Sequence, residues 1–172
     1  MRVFEEWWRE EQLPVVLATA STESRPSART VVLEHFDDRG FVFWTSSESR
    51  KGKELGANPR AALVFLWERR RQLRVEGRVE RVSEEENETD WSGREGKRQI
   101  AAFRRGAPVA DRDEPEKLVR ETLDDPPRPP VWVGYRVVPD AIEVRVADEE
   151  FVHDRIRYER AADGWQRTQL QP

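Results

Sequence analysis

Apolar positions along the chain fall into short runs with two different periods. "VVLATA" (15–20), "FVFWTS" (41–46) and "AALVFLW" (61–67) are compact runs of strand length, and the last reads as a fully buried strand. "QLRVEGRVERVS" (72–83) alternates instead, with Leu73, Val75, Val79 and Val82 set against charges and Gly77 marking a bulge or close backbone approach. "SARTVVLEHF" (27–36) reads as one strand, joined to the next by the hairpin chemistry of "DDRG", where Gly40 supplies a positive φ. "RVFEEWWREEQ" puts Phe4, Trp7 and Trp8 at helical spacing ahead of Pro14. Ser49 is placed to cap a short helix, "RKGKELGAN", which Asn58-Pro59 ends. Residues 85–125 are charged and read as helix and loop, clearest over 114–123, and "PPRPP" (126–130) is a stiff connector. Strand-like runs at 131–139, 141–147 and 155–161 follow, and then "WQRTQLQP".

Seven or eight strands, few helices, short turns and no strand–helix alternation predict a mainly β protein, an antiparallel barrel with peripheral helices. The expected organisation is a single domain over 1–172, with an N-terminal helix at 1–13 and a helical or looped insertion at 85–125.

Charge narrows the function. Net charge is −4, from 34 acids against 30 bases, which argues against a general affinity for nucleic acid. The basic stretch "ERRRQLRVEGR" could face a polyanion, but "EEENETD" follows it and no aromatic residues interleave with its bases. There is no cysteine, so disulfides, thiolate nucleophiles and Cys-based metal sites are excluded. His35 and His153 match no metal-ligand spacing, and His35 reads as a surface residue. No apolar run approaches the roughly 20 residues that span a bilayer, and the acidic N-terminus lacks a signal-peptide core, so a soluble cytoplasmic protein is expected.

The candidate chemistry lies in "WTSSESRKGKEL" (44–55), where Arg50 and Lys51 sit side by side between a strand and a helix start. They are either a solvated basic turn or the holders of a phosphate, which planar Arg and mobile Lys suit and which free N–H groups at a helix start would help. Arg29, mid-strand beside Val31, is either a snorkelling edge arginine or part of the same clamp.

The order of these pieces resembles the pyridoxine/pyridoxamine 5′-phosphate oxidase family. "RTVVLEHFDDRGFVFWTSSESRKGKELGANPRAALVFLW" with "RQLRVEGRVERVS" is similar to its core, and "PPVWVGYRVVPDAIEV", "HDRIRYER" and the terminal "LQP" are similar to its tail. The resemblance implies an FMN-binding split β-barrel that works as a homodimer with the flavin between subunits. It implies that Arg29, Arg50 and Lys51 hold the FMN phosphate, that backbone near Val32 and the Trp44-Thr45 pair line the flavin, that Gln72 reaches the ring system and that Arg155 completes the pocket. The family chemistry is oxidation of a carbon–nitrogen bond by hydride transfer to FMN, with molecular oxygen taking the electrons.

Departures from the family pattern bear on the substrate. The Lys that helps bind the vitamin phosphate is here Glu34, the family Tyr falls at Asp90 and the family Ser at Arg98, while Arg94 keeps its place. In the tail, Arg145 stands for a flavin-side Trp and Phe151 for a substrate-contacting Arg, whereas His153 and Arg155 remain. A Gln-Ser pair has no equivalent near Ala107-Pro108. Glu34, Arg94, Arg98 and His153 are therefore the candidate substrate residues, and His153 with Arg155 the candidate catalytic pair. Glu34 has the rival reading of a surface acid, and His153 that of a core histidine.

The phenazine-biosynthesis flavin oxidases also lack that Lys, although they keep more of the family tail. The expected function is an FMN-dependent oxidase acting on a small, unphosphorylated aromatic or amine substrate in secondary metabolism. The alternatives are a non-catalytic flavin- or haem-binding split barrel and an ordinary pyridoxamine 5′-phosphate oxidase.

Overall fold

Helix α1 (Arg2–Glu10) forms where the aromatic spacing predicts, and its apolar face closes the core. Phe4 lies at the centre of an aromatic cluster, edge-on to Phe36, Phe41 and Phe65 at 4.6–5.1 Å, while Trp7 packs against Trp67. This computed structural model describes residues 2–11, 14–67, 70–97, 113–147 and 153–171.

The strands are β1 (Val15–Ala20), β2 (Pro26–Val31), β3 (His35–Asp37), β4 (Gly40–Ser46), β5 (Arg60–Trp67), β6 (Arg71–Arg81), β7 (Trp132–Ala147), β8 (His153–Ala161) and β9 (Gly164–Leu170). The helices after α1 are α2 (Arg50–Ala57), α3 (Glu84–Gly93) and α4 (Glu114–Glu121). All pairings are antiparallel, in the order β2-β1-β5-β6-β7-β4-β3, with β8 on β7 and β9 on β8.

Residues 27–36 are not the single strand expected. β2 and β3 lie at opposite ends of the seven-strand path, yet only residues 32–34 separate them. A flat sheet would hold those ends about 29 Å apart, and a four-step link reaches about 14 Å. The sheet therefore curls back on itself as a barrel, and the short link is where the chain passes from one edge to the other.

The runs at 131–139 and 141–147 are one strand, β7, and the strand count rises to nine. Its first half pairs with β4, from Ser46↔Trp132 to Phe41↔Val137, and its second half with β8, from Ala141↔Glu159 to Ala147↔His153. Pro139, which lacks an N–H, lies opposite Gly77 where the β6–β7 register shifts, so the strand continues through it. A Cβ on Gly77 would run into the Val138 carbonyl, which explains the mid-strand glycine.

Two clusters fill the interior. Val15, Leu17, Phe43, Leu63, Phe65, Val75 and Val137 belong to the main one, while Val42, Trp44, Val82, Trp91 and Trp132 form a second. β4 supplies both, which is why its sequence is apolar without alternation. β5, by contrast, is not fully buried: its residues alternate, with Phe65 and Trp67 at 0% exposure and Leu66 at 50%. Leu66 shares its outward face with Val16, and Val32 beyond β2 is 65% exposed. Further across the sheet this face becomes charged, through the paired row Val64, Arg74, Glu143 and Arg157.

Candidate functional site

The chain leaves β4 at Ser46 and turns directly into α2. Ser49 caps that helix, accepting from the Gly52 N–H at 3.2 Å and donating to the Ser46 carbonyl at 2.7 Å. Gly52 is required by contact, since a Cβ there would lie 2.5 Å from the Ser46 oxygen. The turn is thereby pressed against the helix start, and Lys51 is aimed back along β4, its Nζ donating to Thr45 Oγ1 at 3.1 Å.

Arg29 reaches the same place from β2. Its Nη1 donates to Thr19 Oγ1 at 2.6 Å and the Leu17 carbonyl at 3.3 Å, and its Nη2 to Ser27 Oγ and, at 3.2 Å, to Glu54 Oε2. Glu54, one turn into α2 and 8% exposed, also accepts from Thr19, from Ser27 at 2.6 Å and from Arg50 Nε at 2.8 Å. Burial pushes its carboxyl up, but the hydrogen bonds from Ser27, Thr19, Arg50 and Arg29 outweigh that and hold its pKa at about 2. Arg29 and Arg50 thus meet at one buried carboxylate, and Lys51 leaves the same helix start toward Thr45.

A second group is held by α3. Asn87 is 1% exposed, and its Oδ1 accepts from Trp44 Nε1 at 3.1 Å and from the Gly134 N–H at 2.8 Å, fixing the Trp44 ring between β4 and β7. Arg94, at the end of α3, is clamped by Asp90 through Nε (2.8 Å) and Nη2 (2.7 Å) and donates from Nη1 to Glu34 Oε1 at 3.0 Å. Its guanidinium lies over the rings of Trp44 (5.8 Å) and Trp132 (5.4 Å). The structure therefore brings Glu34 and Arg94 together beside Trp44. His35 is exposed as expected, but its ring packs 5.7 Å from that of Trp44.

Gln72 and Arg155 belong to a third group, on the outward sheet face. The ladder runs Leu66, Gln72, Arg145, Arg155, Leu170 across five strands, so Gln72 and Arg155 share one row. Arg155 donates to Glu143 Oε1 from Nε (3.3 Å) and Nη2 (2.9 Å), and Glu143, 3% exposed, also faces Arg74 at 3.3 Å. His153 pairs with Ala147 in the β7–β8 ladder, but its side chain, like Arg98, Phe151 and Ala107-Pro108, lies outside the described residues. The Trp44-Thr45 step along β4 links the first two groups. No cluster of metal-ligating residues is present among the described residues, and no described helix is long and apolar enough to cross a membrane.

Glu54, Asn87 and Glu143 are organising acceptors that the sequence reading missed. Only Glu54 left a signal, because it lies four residues after Arg50 on a helix. The donor set around α2 fits an FMN phosphate: cations of both kinds, hydroxyls, and a helix start with no acid in its first turn.

The comparisons with known proteins agree over nearly the whole chain. The model described as pyridoxamine 5′-phosphate oxidase matches residues 4–124, and that described as the pyridoxine 5′-phosphate oxidase C-terminal dimerisation region matches 132–172. A pyridoxine/pyridoxamine 5′-phosphate oxidase of Rubrobacter xylanophilus is 45% identical, covering 100% of this chain and 86% of that protein. One from Myxococcus xanthus is 46% identical, covering 92% and 81%. Among solved structures, PhzG from Burkholderia lata in complex with tetrahydrophenazine-1-carboxylic acid superposes with a TM-score of 0.90 at 33% identity, covering 99% of this chain and 91% of that one. An FMN-binding protein of Nostoc punctiforme shares the fold, with a TM-score of 0.75 at 21% identity and coverage of 92% and 87%. With its core and its dimerisation region both matched, and its β-barrel shared with these oxidases, the chain belongs to the pyridoxamine 5′-phosphate oxidase family and is an FMN-dependent oxidoreductase of that type.

Proposed function

We propose that this protein is an FMN-dependent oxidase whose substrate is small, aromatic or amine-bearing, and without a phosphate. The observation that carries the reading is the closed cluster Asp90–Arg94–Glu34. Arg94 is the one family phosphate contact retained here among the described residues, and its guanidinium is engaged on every nitrogen by the chain's own carboxylates. Two acids and one base leave the cluster with a net charge of −1. A phosphate carrying about two negative charges gains nothing by entering it. The PhzG neighbour is in complex with a carboxylated tricycle rather than a phosphate ester, which supports the same direction.

Within this reading Arg29, Arg50 and Lys51 hold the FMN phosphate, Gln72 and Arg155 flank the ring system, and Val32 and Trp44-Thr45 line it. When bound, FMN supplies the hydride acceptor for a C–N or C–C bond and passes two electrons to dioxygen, giving hydrogen peroxide. His153 and Arg155 orient the substrate. The working unit is a homodimer, supported by the matched dimerisation region and by the exposed apolar residues Val16 and Leu66 on one sheet face.

The second reading is an ordinary pyridoxamine 5′-phosphate oxidase, favoured by 45% identity to a protein of that name. The deciding experiment gives the FMN-loaded protein pyridoxamine 5′-phosphate in air and follows peroxide. Turnover below about 0.01 s⁻¹ is expected. A rate of order 1 s⁻¹, ordinary for a working enzyme, would establish the second reading and remove the first.

A further inference from the structure

We infer that Glu54 is a positioning residue for the FMN phosphate: it sets the orientation of Arg29 and Arg50 and trims the clamp's charge to that of its ligand. The inference rests on placing the phosphate at the start of α2. Glu54 is the one carboxylate among the described residues that touches both arginines of the clamp, and it is buried at 8% exposure.

Each arginine is held differently. Arg29, 20% exposed, has both terminal nitrogens pinned, with Nη2 shared between Ser27 and Glu54. Arg50 is 71% exposed, and Glu54 holds only its Nε edge at 2.8 Å. A guanidinium is planar, so a bond at Nε constrains the direction of the fork, while most of the Arg50 side chain stays accessible. A long exposed arginine otherwise loses rotamer freedom when it binds a ligand, and a prior tether reduces that loss.

Charge points the same way. Arg29, Arg50 and Lys51 bring three positive charges and Glu54 one negative, a sum of +2. A phosphate monoester carries about −1.5 to −2 near neutrality. Without Glu54 the clamp would reach +3, with Arg29 lacking its anionic partner in a mostly buried place. A purely electrostatic view then predicts tighter FMN binding when Glu54 is neutralised; a positioning role predicts weaker binding.

Riboflavin, which has the same ring and no phosphate, separates positioning from general damage. FMN and riboflavin are titrated against wild type, Glu54→Gln and Ser27→Ala, with flavin fluorescence quenching as the readout. Wild type should prefer FMN by at least 100-fold. In Glu54→Gln the FMN dissociation constant should rise about 10-fold while that for riboflavin stays within twofold. Ser27→Ala keeps the carboxylate but removes one of its donors and an acceptor for Arg29, and should give the same selective loss at about threefold; it carries the test if Glu54→Gln does not fold. Unchanged or tighter FMN binding in the variants, or equal weakening of both flavins, overturns the role of Glu54. A wild type that does not distinguish the two flavins overturns the phosphate placement itself, and this inference with it.

Discussion

Glu34 is the residue on which the substrate reading turns, and a charge series at that position tests it. Glu34→Gln takes the Asp90–Arg94–Glu34 cluster from −1 to neutral and frees Arg94 Nη1 from its 3.0 Å partner. Glu34→Lys takes it to +1. The Glu34 side chain is 33% exposed, so the effective dielectric lies between that of a protein surface and that of water. At about 6 Å, one pair of unit charges is then worth roughly 0.7 to 2.8 kcal/mol. The solvent-screened end is the safer choice for a group this accessible. Against a phosphate of charge near −2, Glu34→Gln should therefore gain about 1.4 kcal/mol and Glu34→Lys about 2.8 kcal/mol, or about 10-fold and 100-fold in affinity. The assay measures the dissociation constant of pyridoxamine 5′-phosphate on FMN-loaded wild type and both variants, with unphosphorylated pyridoxamine as the control. Affinity for the phosphate ester should rise in steps along the series, whereas the control should not gain. If the ester binds the wild type as well as it binds Glu34→Lys, the charge argument is wrong.

Three other outcomes follow from the same geometry. Lys51→Ala and Arg29→Ala should each weaken FMN binding by roughly 1.5–3 kcal/mol, about 10- to 150-fold, as the loss of a charge-assisted contact predicts; wild-type FMN affinity in both variants would return Arg50-Lys51 to a plain basic turn. The folded-state pKa of Glu54 is depressed from 4.5 to about 2, so its contribution to stability is complete above about pH 4.5 and lost as pH falls toward 2; the urea-midpoint gap between wild type and Glu54→Gln, worth at most about 3 kcal/mol, should narrow through that window, and a gap constant with pH would contradict the assignment. Arg136 is 1% exposed and pairs with Asp37 at 2.6 Å and Glu86 at 2.7 Å, so Arg136→Met should cost about 3 kcal/mol in urea unfolding, and a loss under 1 kcal/mol would mean that those acids rehydrate freely.

Features of the fold that depend on near neighbours in the chain were legible in the sequence. The aromatic face of α1, the Ser49 cap, the hairpin at Gly40 and the bulge at Gly77 each follow from a local rule, and each is found in the structure. The misreadings came where a distant strand decides. Residues 32–34 look like strand because Val31, Val32 and Leu33 have strand chemistry, but the closing of the barrel needs a link there. Pro139 looks like a strand end, but Gly77 on the neighbouring strand accommodates it. "AALVFLW" looks buried on both sides, and a run of apolar letters cannot distinguish a core face from one left open for another surface.

The site divides along the same line. Cations that contact a ligand stand out in a sequence because a charge pair at a strand–helix junction is conspicuous. The groups that aim them stand out less: Glu143 is lost among 34 acidic residues, Glu54 shows only as a helical neighbour of Arg50, and Asp90 only as a departure from the family pattern. Their importance comes from burial, which only the assembled barrel confers. Once buried, a carboxylate must be fully paired to remain charged, and the partner it fixes becomes rigid. All three of these acids hold an arginine that the sequence reading assigned to the ligands: Arg29 and Arg50 by Glu54, Arg94 by Asp90, Arg155 by Glu143. In the proposed site, the acids behind the arginines would therefore set what those arginines can accept. A change at Asp90 is expected to alter what Arg94 accepts, while the proposed FMN clamp, held by Glu54 on a different helix, stays in place.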